Sequence, residues 1–192
     1  MPPSQVTLGI LAGGRATRLG GADKAWLERD GIAQVLRWQR RFAVETAAVI
    51  VSANQRLERY PQAELHAVAD RVHGDIGPIA GLDALLAACT TPWLLTLPVD
   101  LVGVNDCLLP TLDSGRDRHG AFAIDDDGPQ PLVALWNVAA AITATAAQIE
   151  AGATAVHALQ AKLGMPGVRF AGVRFGNLNT PEDLRAAGIR HD

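Results

Sequence analysis

Short apolar runs alternate with stretches of helical periodicity along the first hundred residues. Residues 6–12, 47–53, 65–69 and 93–99 are apolar runs bounded by glycine, proline or polar residues, and each predicts a buried strand. Between the first two, residues 33–43 place Val35, Leu36, Trp38, Gln39 and Phe42 at helical spacing. Pro78 opens a second helix that runs to about Cys89, since proline in a first turn removes only an N–H that has no partner there. A short helix over 105–112 follows, with Asn105 as its cap.

The pattern changes in the second half. Residues 121–124 and 132–136 predict a strand pair around the turn signal Asp127-Gly128. Alanine-rich helices are expected over 138–150 and 154–163, and a last strand over 168–173. Thr180-Pro181-Glu182-Asp183 then reads as a helix start, with a threonine cap, proline in the first helical position and an acid at the capping-box position. No repeat or low-complexity linker divides the chain, so residues 1–192 are expected to form one domain. The βαβ units of the first half predict an α/β fold with a mostly parallel sheet and a ligand at the carboxyl ends of its strands.

Composition narrows the function. The chain is 48% hydrophobic and 19% charged over 192 residues, which suits a folded core. A net charge of −3 argues against a general nucleic-acid or anionic-membrane binder. Cys89 and Cys107 are the only cysteines and have no metal or redox spacing. The first five residues are polar and carry no basic segment leading into an apolar one, so no signal peptide is expected. These features predict a soluble, cytoplasmic protein.

The chemistry concentrates where the first strand ends. Leu11-Ala12-Gly13-Gly14-Arg15-Ala16-Thr17-Arg18-Leu19-Gly20-Gly21-Ala22-Asp23-Lys24 combines two glycine pairs with three cations. Glycines allow close backbone approach, unpaired N–H groups bind anions, and the cations suit a polyphosphate. It is not a P-loop, because Lys24 is followed by Ala25, and Gly13-Gly14 breaks the dinucleotide G-x-G-x-x-G spacing. Asp100 directly follows the strand at 93–99, where a carboxylate is placed to hold Mg²⁺, although a turn-capping role is the plainer alternative. Asp70, Ser52 and Asn54 close two other strands and can bond a base or ribose, or serve only as turn residues. Gly77, Pro78 and Gly81 lead into a helix whose N-terminus favours negative charge. Asn177 and Asn179, two apart, face the same way if that segment is extended. The five histidines have no ligand spacing and are assigned structural or surface places. The expected chemistry is metal-assisted phosphoryl or nucleotidyl transfer, without a covalent nucleophile.

These residues resemble a known family. The loop at 11–24 is similar to the signature of nucleotidyltransferases with a Rossmann-like fold. Together with Ser52-Ala53-Asn54, Asp70, the glycine–proline segment 77–82, Pro98-Val99-Asp100, residues 130–136 and 177–184, it resembles the molybdenum cofactor guanylyltransferases over nearly the whole chain. The resemblance implies a three-layer fold of the nucleotide-diphospho-sugar-transferase type with a mostly parallel mixed sheet. It also implies Mg²⁺-dependent transfer of GMP from GTP to molybdenum-loaded molybdopterin, with pyrophosphate released. On that pattern Lys24, Asp100 and Arg18 are catalytic, and Asp100 holds the metal. Gly13 and Gly14 hold the triphosphate, Lys24 neutralises it with Arg15 and Arg18 near, and Leu11, Ala12 and Gly13 also bind the nucleoside. Ser52, Asn54, Asp70, Gly77, Pro78 and Gly81 line the nucleoside side, and Asn177 and Asn179 lie toward the pterin. Other cofactor-biosynthesis proteins and recipient molybdoenzymes are the implied partners.

The chain departs from the family in three places. Ser52 stands where asparagine is common, Val99 replaces a common cysteine, and the segment after Gly152 lacks the usual basic pair. Lys162, Arg169 or Arg174 would then have to meet the pterin phosphate. A cytidylyltransferase for the same cofactor is the near alternative, although such relatives tend to have L-A-A-G and lack the acid before the lysine. A sugar-phosphate nucleotidyltransferase usually has a longer chain. A non-catalytic GTP-binding sensor or cofactor-delivery protein is the alternative from a different class.

Overall fold

The computed structural model describes residues 1–13, 23–72 and 74–189. Among them are eleven strands: β1 Val6–Leu11, β2 Glu28–Arg29, β3 Ile32–Ala33, β4 Ala48–Ser52, β5 His66–Val68, β6 Trp93–Pro98, β7 Leu101–Val102, β8 Gly120–Asp125, β9 Gly128–Asn137, β10 Gly167–Arg169 and β11 Gly176–Asn177. The helices are α1 Gln34–Phe42, α2 Arg59–Gln62, α3 Pro78–Ala88, α4 Leu108–Gly115, α5 Val138–Glu150, α6 Val156–Leu163 and α7 Pro181–Ala186.

Seven strands form the main sheet in the order β10-β8-β9-β6-β1-β4-β5. β9 pairs antiparallel with both β6 and β8, and the other pairings are parallel. The sheet is therefore mixed and mostly parallel, as the sequence predicts. Period-two alternation sends neighbouring residues to opposite faces. Val6, Leu8, Ile10, Val51, Leu95, Leu97, Val133 and Leu135 pack with α1 and α4 residues such as Val35, Trp38, Phe42 and Leu112. Ile50, Leu94, Ala134 and Trp136 pack with Leu82, Leu85 and Leu86 of α3 and with Val138, Ala141 and Leu159 of α5 and α6. Three layers follow, with helices on both faces of one sheet.

Helix character follows position. α1 buries Gln34, Val35, Trp38 and Phe42 and turns Arg37 and Arg40 outward, so it covers one face at the rim. α3 packs against both the sheet and its neighbour α5 and buries seven of its eleven residues, which explains why its sequence is apolar nearly all round. No helix among the described residues is long and apolar enough to cross a membrane.

Several predicted elements shift. The helix expected over 105–112 begins at Leu108, and Asn105 is not its cap. Its side-chain oxygen instead accepts the Cys107 N–H at 3.1 Å, an Asx turn that stands before the helix. The last main-sheet strand stops at Arg169, because the chain turns at Gly172 and crosses back toward β7. The hairpin β2–β3, the short helix α2 and the ladder between β7 and β11 are too short to carry a periodicity.

Candidate active site

From β1 the chain moves outward to β4 and β5, then returns to the other side of β1 as β6. The crevice outside the carboxyl ends of β1 and β6 is thus the topological switch point, where α/β sheets bind ligands. A cleft of about 900 Å³ lies there. Its walls include Leu11, Ala12, Gly13, Lys24, Ser52, Asn54, Asp70, Gly77, Pro78, Gly81 and Asp100. These residues come from six separate stretches of the sequence. Gly14, Arg15 and Arg18 lie outside the described residues.

The floor is made by strand ends. The Ala12 N–H donates to the Ser52 carbonyl at 2.8 Å, and the Val99 N–H donates to that of Leu11 at 3.0 Å, so the three strands end level. Ser52 is fully buried, and its Oγ has no hydrogen-bond partner. A Cβ at Gly81 would come within 2.7 Å of that oxygen and 3.0 Å of Leu11 Cδ2. The first turn of α3 therefore reaches the floor only because residue 81 has no side chain. Gly77 adopts φ 78°, which turns the chain into α3, and Pro78 occupies its first turn as predicted.

Asn54 and Asp70 form a reciprocal pair. Asn54 Nδ2 donates to Asp70 Oδ2 at 2.8 Å, and the Asp70 N–H donates to Asn54 Oδ1 at 3.0 Å. Asp70 Oδ1 remains buried without a partner. A fixed carboxylate oxygen that lacks a donor invites an N–H or O–H from a bound molecule.

Lys24 stands across the cleft. Asp23 caps its 3₁₀ turn by accepting the Ala25 N–H at 3.1 Å. Lys24 Nζ donates to Asp100 Oδ2 and to Asn179 Oδ1, each at 2.7 Å. Two hard oxygens thus converge on one cationic position. The backbone around Asp100 is held residue by residue. Trp38 Nε1 donates to the Val99 carbonyl at 3.0 Å, the Leu178 N–H to that of Asp100 at 2.9 Å, and Gln34 Nε2 to that of Leu101 at 3.2 Å.

Asn177 does not join Asn179. The Asn179 N–H donates to the Asn177 carbonyl at 3.1 Å, a tight turn at Leu178 that breaks the extended geometry the sequence suggests. Asn177 lines a separate cavity of about 300 Å³ with Arg29 and Asp183. Arg169 and Arg174 pair with Asp126 at 3.0 Å and Asp127 at 3.6 Å, at the tip of the β8–β9 hairpin. Tyr60, which the sequence does not single out, also lines the cleft. Burial pushes its hydroxyl up to about 12, aided by the Asp23 charge, so it stays protonated. The Trp26 ring, 5.2 Å away, and the Arg59 guanidinium, 4.3 Å over Trp26, fix its surroundings.

A cleft at the switch point of a mostly parallel sheet, walled by a glycine strand end, a lysine and two strand-end carboxylates, defines a nucleotide-handling α/β enzyme. A family model described as the MobA-like NTP transferase domain matches residues 8–163. The chain belongs to this family and is a nucleotidyltransferase. It is 35% identical over 189 residues to a molybdenum cofactor guanylyltransferase of Pseudomonas paraeruginosa, covering 96% of this chain and 94% of that one. A protein of the same name from Cupriavidus taiwanensis is 30% identical over 190 residues, covering 94% and 95%. Among solved structures, molybdopterin-guanine dinucleotide biosynthesis protein A from Archaeoglobus fulgidus superposes with a TM-score of 0.69 at 19% identity, covering 95% and 96% of the two chains, and shares the fold.

Proposed function

We propose that this chain, acting as one domain in the cytoplasm, transfers GMP from GTP to molybdenum-loaded molybdopterin. An oxygen of the pterin's terminal phosphate attacks the α-phosphorus of GTP in line. A new P–O bond forms to that oxygen, the bond to the bridging oxygen of the β-phosphate breaks, and pyrophosphate leaves with the electron pair. Recipient molybdoenzymes and other cofactor-biosynthesis proteins are the expected partners.

The observation that carries this reading is that Asp70 Oδ1 and Ser52 Oγ, both on residues that line the cleft, are buried without a hydrogen-bond partner. Guanine presents adjacent N–H donors that a fixed carboxylate can accept. Leu11, Ala12 and Gly13, with Gly14, bring bare backbone to the nucleotide, and Gly77, Pro78 and Gly81 close its other side. Lys24 neutralises the triphosphate, with Arg15 and Arg18 from the same segment. Asn54 orients Asp70. Asn179, which accepts from Lys24, is assigned to the pterin side together with Asn177, which lines the separate cavity.

The residues present fit Mg²⁺. Asp100 Oδ2 and Asn179 Oδ1 already share a cation, the Lys24 ammonium, and oxygen is the donor this metal takes. Among the described residues no group of three His, Cys, Asp or Glu could hold a metal ion, so substrate phosphates and water would have to complete the shell. Asp100 would hold the ion, whose charge stabilises the departing pyrophosphate. Lys24 would then exchange Asp100 for the phosphate oxygens.

Pyrophosphate release with Mg²⁺ and molybdenum-loaded molybdopterin, compared for GTP, CTP and ATP, tests the reading. Release with GTP alone is expected. Release with CTP would overturn the base assignment, and tight GTP binding with no release would overturn the transfer. Lys24→Ala and Asp100→Ala should each lower the rate by roughly a hundredfold or more, with the circular dichroism spectrum unchanged.

A further inference from the structure

The stretch Leu178-Asn179-Thr180-Pro181-Glu182-Asp183 places a carboxylate three residues after a threonine and four after an asparagine. Asp183 turns back over the start of α7, where Thr180 Oγ1 accepts its N–H at 3.1 Å. One oxygen, Asp183 Oδ2, accepts the N–H of Thr180 at 2.8 Å and also the N–H of Asn179 at 3.0 Å. An ordinary capping box binds only the first of these. The second bond fixes the peptide group on the amino side of Asn179, and the first fixes the one on its carboxyl side. With both peptide planes set, the Asn179 side chain leaves the backbone in one direction, and Lys24 Nζ lies at its end, 2.7 Å from Oδ1.

The same unit grips the lysine's own turn from behind. Leu178, Leu184 and Ile189 form a buried cluster with Leu27, which closes the 3₁₀ turn Lys24–Trp26. Arg29 and Ile189 pair in an isolated antiparallel bridge. Electrostatics runs the same way. The Asp183 carboxyl is held below its usual range, first by the Asn179 N–H, then by the Thr180 groups, with the Lys24 charge adding to them.

We propose that Asp183 is a positioning residue for the Lys24 ammonium: by fixing the backbone on both sides of Asn179 it aims Asn179 Oδ1, and through that oxygen it sets where Nζ stands in the cleft. Its value for catalysis rests on the proposed role of Lys24 toward the triphosphate. The placement itself does not.

The chain contains only two lysines, Lys24 and Lys162, which makes the placement measurable without substrate. The Lys24 side chain is 18% exposed and doubly bonded, whereas Lys162 is exposed near the end of α6. Limited acetylation with N-hydroxysuccinimidyl acetate, read by peptide mass spectrometry, gives the ratio of modification at the two. Asp183→Ala and Asp183→Ser should each raise the Lys24/Lys162 ratio several-fold. Asp183→Asn, whose side-chain oxygen can accept the same two N–H groups, should return it close to wild type. Arg185→Gly loosens the same helix without touching Asn179 and sets the level of a merely structural change. A ratio in the alanine and serine variants no higher than in Arg185→Gly would overturn the proposal, as would an Asp183→Asn ratio as high as theirs. Because no nucleotide or pterin is used, a failed transfer assay leaves this result standing, and a failed labelling result leaves the transfer reading standing.

Discussion

Three consecutive carbonyls are each bonded: those of Val99 and Leu101 by Trp38 and Gln34 of α1, and that of Asp100 by the Leu178 N–H, so the Asp100 carboxylate stands on a braced peptide. Trp38→Phe keeps most of the packing and removes one donor. It leaves the Val99 carbonyl unpaired in the interior, which should cost about 1–3 kcal/mol in denaturant unfolding and lower the transfer rate through Asp100. Gly81 gives a second test. Gly81→Ala would push a methyl against Ser52 Oγ and Leu11. The expected outcome is a loss of about 1–3 kcal/mol from overpacking and a KM for the nucleotide raised about tenfold, checked by thermal melts and initial rates. Which residues would gather at the cleft was largely legible, because strand-end acids and glycine turns mark ligand positions by residue type. Asn177 was not. A single tight turn at Leu178 reverses the expectation of extended chain, and no residue type at that position announces it.

At the scale of elements, the β8–β9 hairpin shows how a sequence signal can find the right place with a different device. Asp127-Gly128 suggests a turn with two left-handed residues, yet only Gly128 takes positive φ. The buried Asp125 makes the turn instead. Its carboxylate accepts the N–H groups of Asp127 at 3.0 Å, Gly128 at 3.1 Å and Phe175 at 2.7 Å, together with Gln130 Nε2 at 3.1 Å. Burial pushes this carboxyl up, but the Phe175 N–H, the Gln130 amide and the two turn N–H groups outweigh it and hold it below the usual range. A group depressed in the folded state stabilises at pH above its unfolded value of about 3.9 and loses that contribution as pH falls through its folded value. Thermal midpoints from pH 7 down to 3 should therefore fall less steeply in Asp125→Asn than in wild type, and the variant should start lower at pH 7, by about 3 kcal/mol. The long helices and central strands were legible because each repeats a pattern over two turns or more. The two-residue strands β7 and β11 were not, since their pairing is decided by where the chain returns rather than by what it contains.

Taken whole, the molecule builds its cleft from distant parts of the chain. The amino-terminal half supplies the floor through β1, β4 and β6, and the mixed order of the sheet brings the later segments back beside Asp100. Sequence alone foresaw the parallel half and the presence of an antiparallel pair. It did not foresee that β9 would lie against β6, since strand neighbours are chosen by the whole topology. The contact between Lys24 and Asn179 spans 155 residues. At a synthesis rate of about 5–20 residues per second, a growing chain waits on the order of ten seconds between making the lysine and making its partner. Until then the nascent protein carries Lys24 and Asp100 without Asn179, the residue proposed to aim the cation, so a ribosome-bound fragment lacks that brace until the far end of the fold has docked.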